Sequence, residues 1–252
     1  MRPDHPTPGQ LPALRKLWQE AFGDTQEYLD GFFRLAFTPK NCLCITGDTG
    51  VYAALYWLDM TCRGRKIAYL YAVATAKSHR GQGLCRGLMA HAQELLARRG
   101  YAAALLVPEN QGLTRMYGSM GYLPCCGISR LTVSPADTPV ALRRVGPQEY
   151  DALRNARLPE GSVELGEKAL AFLSVHGEFF AGEDFVLAAV EDRGVLQGLE
   201  YLGDPAKAPG IAAALGCREG RFRVPGNDRP FAMYLPLSPD APKPVHFGFA
   251  FD

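Results

Sequence analysis

Ser78-His79-Arg80-Gly81-Gln82-Gly83-Leu84-Cys85-Arg86 is the stretch from which the fold is read. Before it, Lys66–Ala74 is aromatic and β-branched enough for a buried strand. After it, Leu84, Leu88, Met89, Ala92, Leu95 and Leu96 mark one face of a helix, closed by Arg98, Arg99 and Gly100. Tyr101–Val107 then reads as another strand. The glycines at 81 and 83 let the backbone turn tightly and leave N–H groups open at the helix start, which makes an anion site. No Lys-Ser/Thr follows the last glycine, so this is not a Walker A loop. Arg86 stands where a G-x-G-x-x-G loop needs its third glycine, and Tyr101–Leu105 stand where a dinucleotide fold needs an acid.

Upstream, Leu11, Leu14, Leu17, Trp18 and Phe22 share a helix face that Gly23 stops. Asp24 with Glu27 reads as a capping-box variant that opens a second helix with the stripe Tyr28, Leu29, Phe32, Phe33 and Ala36. Cys42–Thr46 and Val51–Leu58 flank the turn Gly47-Asp48-Thr49-Gly50, and Arg63-Gly64 is a second turn. Downstream, Gly112–Met120 reads as a short helix with Asn110 as its N-cap. Tyr117 follows Asn110 by seven residues and precedes Gly121-Tyr122 by four. A strand around Ile128–Val133 ends this half.

These features together resemble the Gcn5-related N-acetyltransferases, the GNAT superfamily, over roughly residues 2–133. The family's Arg/Gln-x-x-Gly-x-Gly/Ala signature stands here as Arg80-Gly81-Gln82-Gly83-Leu84-Cys85, with Cys85 where Gly or Ala is usual. Its Asn…Leu-Tyr-x-x-x-Gly-Phe pattern is matched by Asn110, Tyr117 and Gly121-Tyr122. The resemblance implies an α/β (α+β) fold, a mixed, mostly antiparallel sheet flanked by helices. It implies acetyl-CoA as co-substrate, held by Val73, Ala74, Arg80, Gly81, Gln82, Gly83, Leu84, Cys85, Arg86, Asn110 and Tyr117. Within that set the amides of Gly81, Gly83, Cys85 and Arg86 take the pyrophosphate, and Asn110 meets the pantetheine arm. The activity implied is direct acetyl transfer to a primary amine, with Tyr117 as general acid and the N–H at Val73 or a neighbour as oxyanion donor. A phenol suits that acid role because it is protonated near neutral pH.

The general base is open: Glu109, Asp59 or a water relay. Phe32, Phe33, Trp57, Tyr69 and Tyr71 are the aromatics from which one or two acceptor-cleft residues are expected. The acceptor, a small-molecule or peptide amine, is not legible. Two alternatives stand beside the enzyme: a non-catalytic acyl-CoA-binding sensor module, and transfer of a longer acyl chain. His79 reads as a loop histidine, and Arg86 as either a solvated charge or a phosphate neighbour.

Ser134-Pro135-Ala136-Asp137-Thr138-Pro139 reads as a linker. The expected domains are residues 1–134, with the acetyl-CoA site, and residues 140–252, joined by residues 135–139. The second is expected to be a smaller α+β domain, a helix near Pro147–Leu158 and then strands near Phe185–Val190, Val195–Leu202, Arg221–Val224, Phe231–Leu237 and His246–Phe251, with a short helix at Gly210–Leu215. It carries no Arg-x-x-Gly-x-Gly. Leu202-Gly203-Asp204-Pro205 takes the analogous place, and Pro205 and Pro209 remove amides there. If it is a second copy of the same fold, it is a degenerate GNAT-like one, expected to wall the acceptor cleft or mediate homodimerisation; the resemblance extends here to tandem arrangements of one active and one degenerate copy, such as the enhanced-intracellular-survival acetyltransferases. In that resemblance the terminal carboxylates of Asp252 reach the amine near Tyr117 as the base, against the plainer reading of a closing strand.

Composition agrees with an ordinary globular protein: 252 residues, 47% hydrophobic and 21% charged, with 27 Lys plus Arg against 26 Asp plus Glu. A net charge of +1 supplies no field for nucleic acid or an anionic membrane. No apolar run reaches the ~20 residues of a membrane span. Met1–Gln10 holds three prolines and no apolar stretch, so no secretory signal is expected, and the cytoplasm is the expected location. The seven cysteines lack zinc spacing, so no metal is expected and the thiols are read as reduced. The adjacent pair Cys125-Cys126 is the one that invites redox chemistry.

Overall fold

A computed structural model describes residues 2–250. The chain falls into two compact units. The first holds the chain up to Leu123 with Gly166–Phe172 and Met233–Pro242; the second holds Pro124–Leu165, Leu173–Ala232 and the stretch from Lys243. This division differs from a single cut at residues 135–139. That segment is tied down within the second unit, where Ala136 N–H donates to Pro209 O at 3.0 Å and Val140 N–H to Gly210 O at 3.2 Å.

The first unit opens with α1 (Leu11–Phe22) and α2 (Gln26–Leu35). Leu14, Leu17 and Trp18 face inward on α1, and Gly23 at φ 74° ends it in the left-handed cap that a side chain would resist. Thr25, not Asp24, caps α2: its hydroxyl accepts from Tyr28 N–H at 3.2 Å. Asp24 instead accepts from Trp18 Nε1 at 2.7 Å. The sheet follows with β1 (Cys42–Gly47), β2 (Gly50–Cys62) and β3 (Arg65–Thr75). Arg63 and Gly64, both at positive φ, make the tight turn between β2 and β3. Then come α3 (Leu84–Arg98), β4 (Ala103–Leu106) and α4 (Gln111–Gly118).

The second unit contains β5 (Leu123–Val133) from Pro124 on, β6 (Arg143–Arg144), α5 (Pro147–Asn155) and the two-residue β7 (Val163–Glu164). α6 (Glu167–His176), unforeseen from the sequence, passes from the first unit into the second. After it come β8 (Glu178–Ala181), also unforeseen, β9 (Val186–Asp192), β10 (Val195–Leu202), α7 (Ala208–Ala214), β11 (Glu219–Pro225) and β12 (Arg229–Pro236).

In the first unit the strands run β1-β2-β3-β4-β12, antiparallel except for β3 against β4. In the second they run β6-β8-β9-β10-β11-β5, antiparallel except for β10 against β11. Each sheet therefore has one parallel pair joined by a helix, and each closes on a strand distant in sequence. Met233–Pro236 of β12 pair with β4, and Ile128–Val133 of β5 pair with β11. One core packs α3 (Leu88, Met89, Ala92, Leu96) on Leu55, Trp57, Leu70 and Leu106. The other packs α7 (Ala208, Ile211) on Leu187, Leu196, Tyr201 and Phe222.

His246–Ala250 is not the strand that alternation of aromatic and small residues predicts. It is buried but irregular, held by His246 O accepting from Val163 N–H at 2.9 Å and Gly248 O accepting from Arg223 Nη1 at 3.1 Å. Phe251 and Asp252, and with them the terminal-carboxylate reading, lie outside the described residues. Among the described residues no helix is long and apolar enough to cross a membrane.

Candidate active site

The site begins at an irregularity in β3. Ala54 pairs with Ala74 and Tyr56 with Tyr71, so Ala72 and Val73 together stand opposite Leu55. Such a bulge bends a strand and re-aims its backbone groups. Ala72 takes the strain, at φ 48°. On the other edge, the parallel register with β4 runs from Ile67↔Ala103 to Tyr69↔Leu105. Beyond Tyr69 the two strands no longer pair, and the backbone around Val73 faces the opening.

The glycine loop closes one side of that opening. Gly81 and Gly83 both sit at φ 77°, with nothing within 4 Å of where a Cβ would stand. Their role is conformational, and the space before them is clear. The first intrahelical bond of α3 runs from Gly87 N–H to Gly83 O at 3.0 Å, so the N–H groups of Leu84, Cys85 and Arg86 precede it. They point out of the positive end of a fifteen-residue helix. Arg80 folds back, Nε donating to Thr75 O at 3.2 Å, and Arg86 reaches Ser119 Oγ at 2.9 Å.

α4 closes the other side. Asn110 Oδ1 accepts from Leu113 N–H at 3.0 Å, so the cap reading holds and that oxygen is committed to the helix. Tyr117 is 6% exposed. Burial first, and then the neighbouring Cys85 thiol, push its phenol well above the ordinary tyrosine value. Burial also raises Cys85, with Arg86 opposing.

Together these walls bound a cleft of about 790 Å³. It brings together Val73, Ala74, Arg80, Gly81, Gly83, Leu84, Cys85, Arg86, Asn110 and Tyr117; Gln82 is exposed and outside it. Glu109 lines it too, whereas Asp59 is held elsewhere by Tyr101, by Asn41 at 3.2 Å and by Lys66 at 3.5 Å. None of Phe32, Phe33, Trp57, Tyr69 and Tyr71 lines this cleft. Phe32, Phe33 and Tyr71 instead gather around Trp18, whose ring lies 4.6 Å from Phe32 and 5.5 Å from Tyr71. Besides Tyr117 and His79, the aromatic side chain in the cleft wall is Phe22, 45% exposed. Leu113, Met116 and Met120 line the cleft as well, and their helical spacing with Tyr117 is the sequence signal that places them on its face of the helix. His79 stacks on Tyr52 at 3.8 Å, which accounts for it structurally.

The second unit repeats the frame without the anion site. The parallel register of β10 and β11 ends at Gly198↔Phe222, and the β9 register skips Leu199, a bulge in the corresponding place. The following loop is filled. A Cβ on Gly203 would stand 2.4 Å from Phe185 Cβ, and the Asp204 carboxylate accepts from Ala206 N–H at 3.0 Å. The chain's own acid takes an amide that an anion would use.

Residues 2–125 match the family model described as an acetyltransferase (GNAT) domain. No curated protein sequence matches the chain significantly. Among solved structures, a GCN5-related N-acetyltransferase from Kribbella flavida aligns at TM-score 0.71 and 20% identity, over 92% of this chain and 70% of that one. Eis1 from Mycobacterium abscessus aligns at TM-score 0.66 and 11% identity, over 94% and 73%. A tandem GNAT protein from the clavulanic acid biosynthesis pathway aligns at TM-score 0.58 and 11% identity, over 95% and 98%. At these identities the likeness is one of fold.

Proposed function

Starting from residues 2–125 as a GNAT acetyltransferase domain, we propose that the protein transfers an acetyl group from acetyl-CoA directly to a primary amine of a small molecule or peptide. The observation that carries this reading is the meeting, in one cleft, of the α3 amide cluster, the bulged edge at Val73 and the largely buried Tyr117 side chain. The residues fit the co-substrate: the helix-start amides and the clear space before Gly81 and Gly83 suit a pyrophosphate, and the bulged β3 backbone at Val73, past the last β4 partner at Tyr69, suits an amide-bearing arm.

Acyl transfer asks for three services once the thioester is in place. The amine must arrive neutral, the carbonyl oxygen must find a donor as charge develops, and the sulfur must receive a proton. Val73 N–H donates to that oxygen. Tyr117 gives its proton to the departing thiolate, and its raised pKa keeps the proton available across the neutral range. Glu109 stands on the cleft wall as a carboxylate that takes the ammonium proton, directly or through water. No acyl-enzyme is required. The second unit, with its anion place filled by Asp204, shapes or supports rather than catalyses.

The test is turnover with acetyl-CoA against a panel of amines, following thiol release. Acetylation of any amine that falls on Tyr117→Phe substitution supports the reading. Tight CoA binding with no turnover on any amine makes the protein a cofactor-sensing module instead.

A further inference from the structure

The seven cysteines are all free thiols, five of them buried; Cys85 and Cys125 are half-buried. Cys125 differs from Cys85 in having a second thiol beside it, its Sγ lying 3.5 Å from Cys126 Sγ. Successive side chains of a strand point to opposite faces, so this approach of neighbours at the start of β5 is a local departure from strand geometry. We propose that Cys125 and Cys126 form a two-thiol binding site for a trivalent arsenical, separate from the acyl cleft.

Geometry selects the ligand class. All described peptides are trans, which sets the two Cα atoms about 3.8 Å apart. Disulfides want about 4.4–6.8 Å, so closing an S–S bond here would distort the backbone. A bridging atom with bonds of about 2.3 Å to sulfur, as for zinc, spans the observed 3.5 Å at an S–X–S angle of about 100°. A linear two-coordinate ion needs sulfurs about twice that bond length apart, and the pair is too close for it. Zinc needs four ligands, and among the described residues no group of three or more His, Cys, Asp or Glu is placed to hold a metal. A pyramidal trivalent arsenic brings its third substituent with it and needs just two thiols at about this angle.

The pair is also electronically prepared. Cys126 is drawn below the ordinary thiol value by the Cys125 hydrogen bond, then, against its burial, by the N–H groups of Phe247 and Ala232 and the charge of Lys243. The two thiols share one S–H···S contact in which either sulfur can donate, so each brings its own proton to the reaction. With an organoarsenic oxide, R–As=O, two As–S bonds form and both As–O bonds break. The oxygen leaves as water with the two thiol protons, and no electron changes hands.

The probe is phenylarsine oxide added to the reduced full-length protein, read by intact mass and by titration. One equivalent should bind, and it should be released by a dithiol but not by the same concentration of a monothiol. Cys125→Ser and Cys126→Ala should each weaken binding at least 100-fold, because a single thiol loses the chelate. Cys85→Ala, Cys44→Ala and Tyr117→Phe should leave it unchanged, so the result is independent of the acyltransferase reading. Should Cys126→Ala unfold, the half-exposed Cys125→Ser carries the test, with its fold checked by far-UV circular dichroism. Undiminished affinity in Cys125→Ser, or no stoichiometric binding to the parent protein, overturns the proposal.

Discussion

Arg154 and Glu200 form an ion pair with no exposed side-chain surface on either partner, Nε to Oε2 at 2.6 Å. His246 Nε2 lies 3.1 Å from the other carboxylate oxygen, and Tyr150 OH donates to Oε2 at 3.3 Å. Removing one member of such a pair costs about 3–5 kcal/mol, because the other charge is left buried alone. Arg154→Met should therefore lower the urea midpoint steeply, and Arg154→Met with Glu200→Leu should recover much of the loss. A single variant within about 1 kcal/mol of the parent would show that water reaches the pair.

The same pair sets an acid sensitivity. Burial alone would raise the Glu200 carboxyl, but the Arg154 charge and the hydrogen bonds from His246 and Arg154 outweigh it and hold it at about 2, against 4.5 for the free group. A group depressed on folding stabilises the native state above its unfolded value and loses that contribution as pH falls toward its folded value. Stability should thus decline between about pH 4.5 and about pH 2. In Glu200→Gln the decline over that window should be visibly shallower. Equal slopes for the two proteins would assign the acid loss to other carboxylates.

Tyr117→Phe should reduce kcat by about 10²–10⁴-fold, the usual worth of a positioned acid, with CoA affinity nearly unchanged. Because burial raises the phenol, the proposed acetyl transfer by the parent protein should show no alkaline loss of kcat up to about pH 10, the ordinary tyrosine value. A kcat within twofold of the parent at every pH would move the acid role to another group.

Gly83 and Gly87 make a matched pair. Both have open space at the Cβ position, yet Gly83 alone sits at positive φ, 77°. Gly83→Ala should cost about 1–2 kcal/mol in backbone strain and weaken acetyl-CoA binding several-fold. Gly87→Ala, inside α3, should be neutral or stabilising by about 0.5–1 kcal/mol. Isothermal titration and thermal melts of both variants check this, and equal acetyl-CoA affinities would remove the loop from the binding site.

Gly248 stands where a Cβ would come within 2.2 Å of Glu200 Oε1. Gly248→Ala should cost about 1–3 kcal/mol by overpacking, read as a lower Tm. An unchanged Tm would mean that the segment from Lys243 is free to move aside.

What the sequence determined by itself is local. The turn at Gly81 and Gly83, the start of α3, the cap at Asn110 and the helical reach from Asn110 to Tyr117 depend on residues within a few positions of each other. Backbone sterics and hydrogen-bond reach decide them wherever the segment lies. The capping of α2 shows the limit even at short range: Asp24 and Thr25 are both good caps, and the choice was made by Trp18 Nε1, six residues back on another helix, which claims the Asp24 carboxylate.

What only the tertiary structure decided depends on partners far apart in the chain. β4 pairs with Met233–Pro236 and β11 with Ile128–Val133, so each sheet closes on a strand that no local pattern assigns to it. The bulge at Ala72 and Val73 exists only as a mismatch of register between β2 and β3, and the cleft only because β4 leaves β3 after Tyr69. The aromatics of α2 and β3 packed around Trp18 rather than lining the cleft, since burial of large rings favours the core that can cover them most fully. Alternation predicted a strand at His246–Ala250, but a strand needs an edge to pair with, and those residues are held by side chains and single backbone bonds instead.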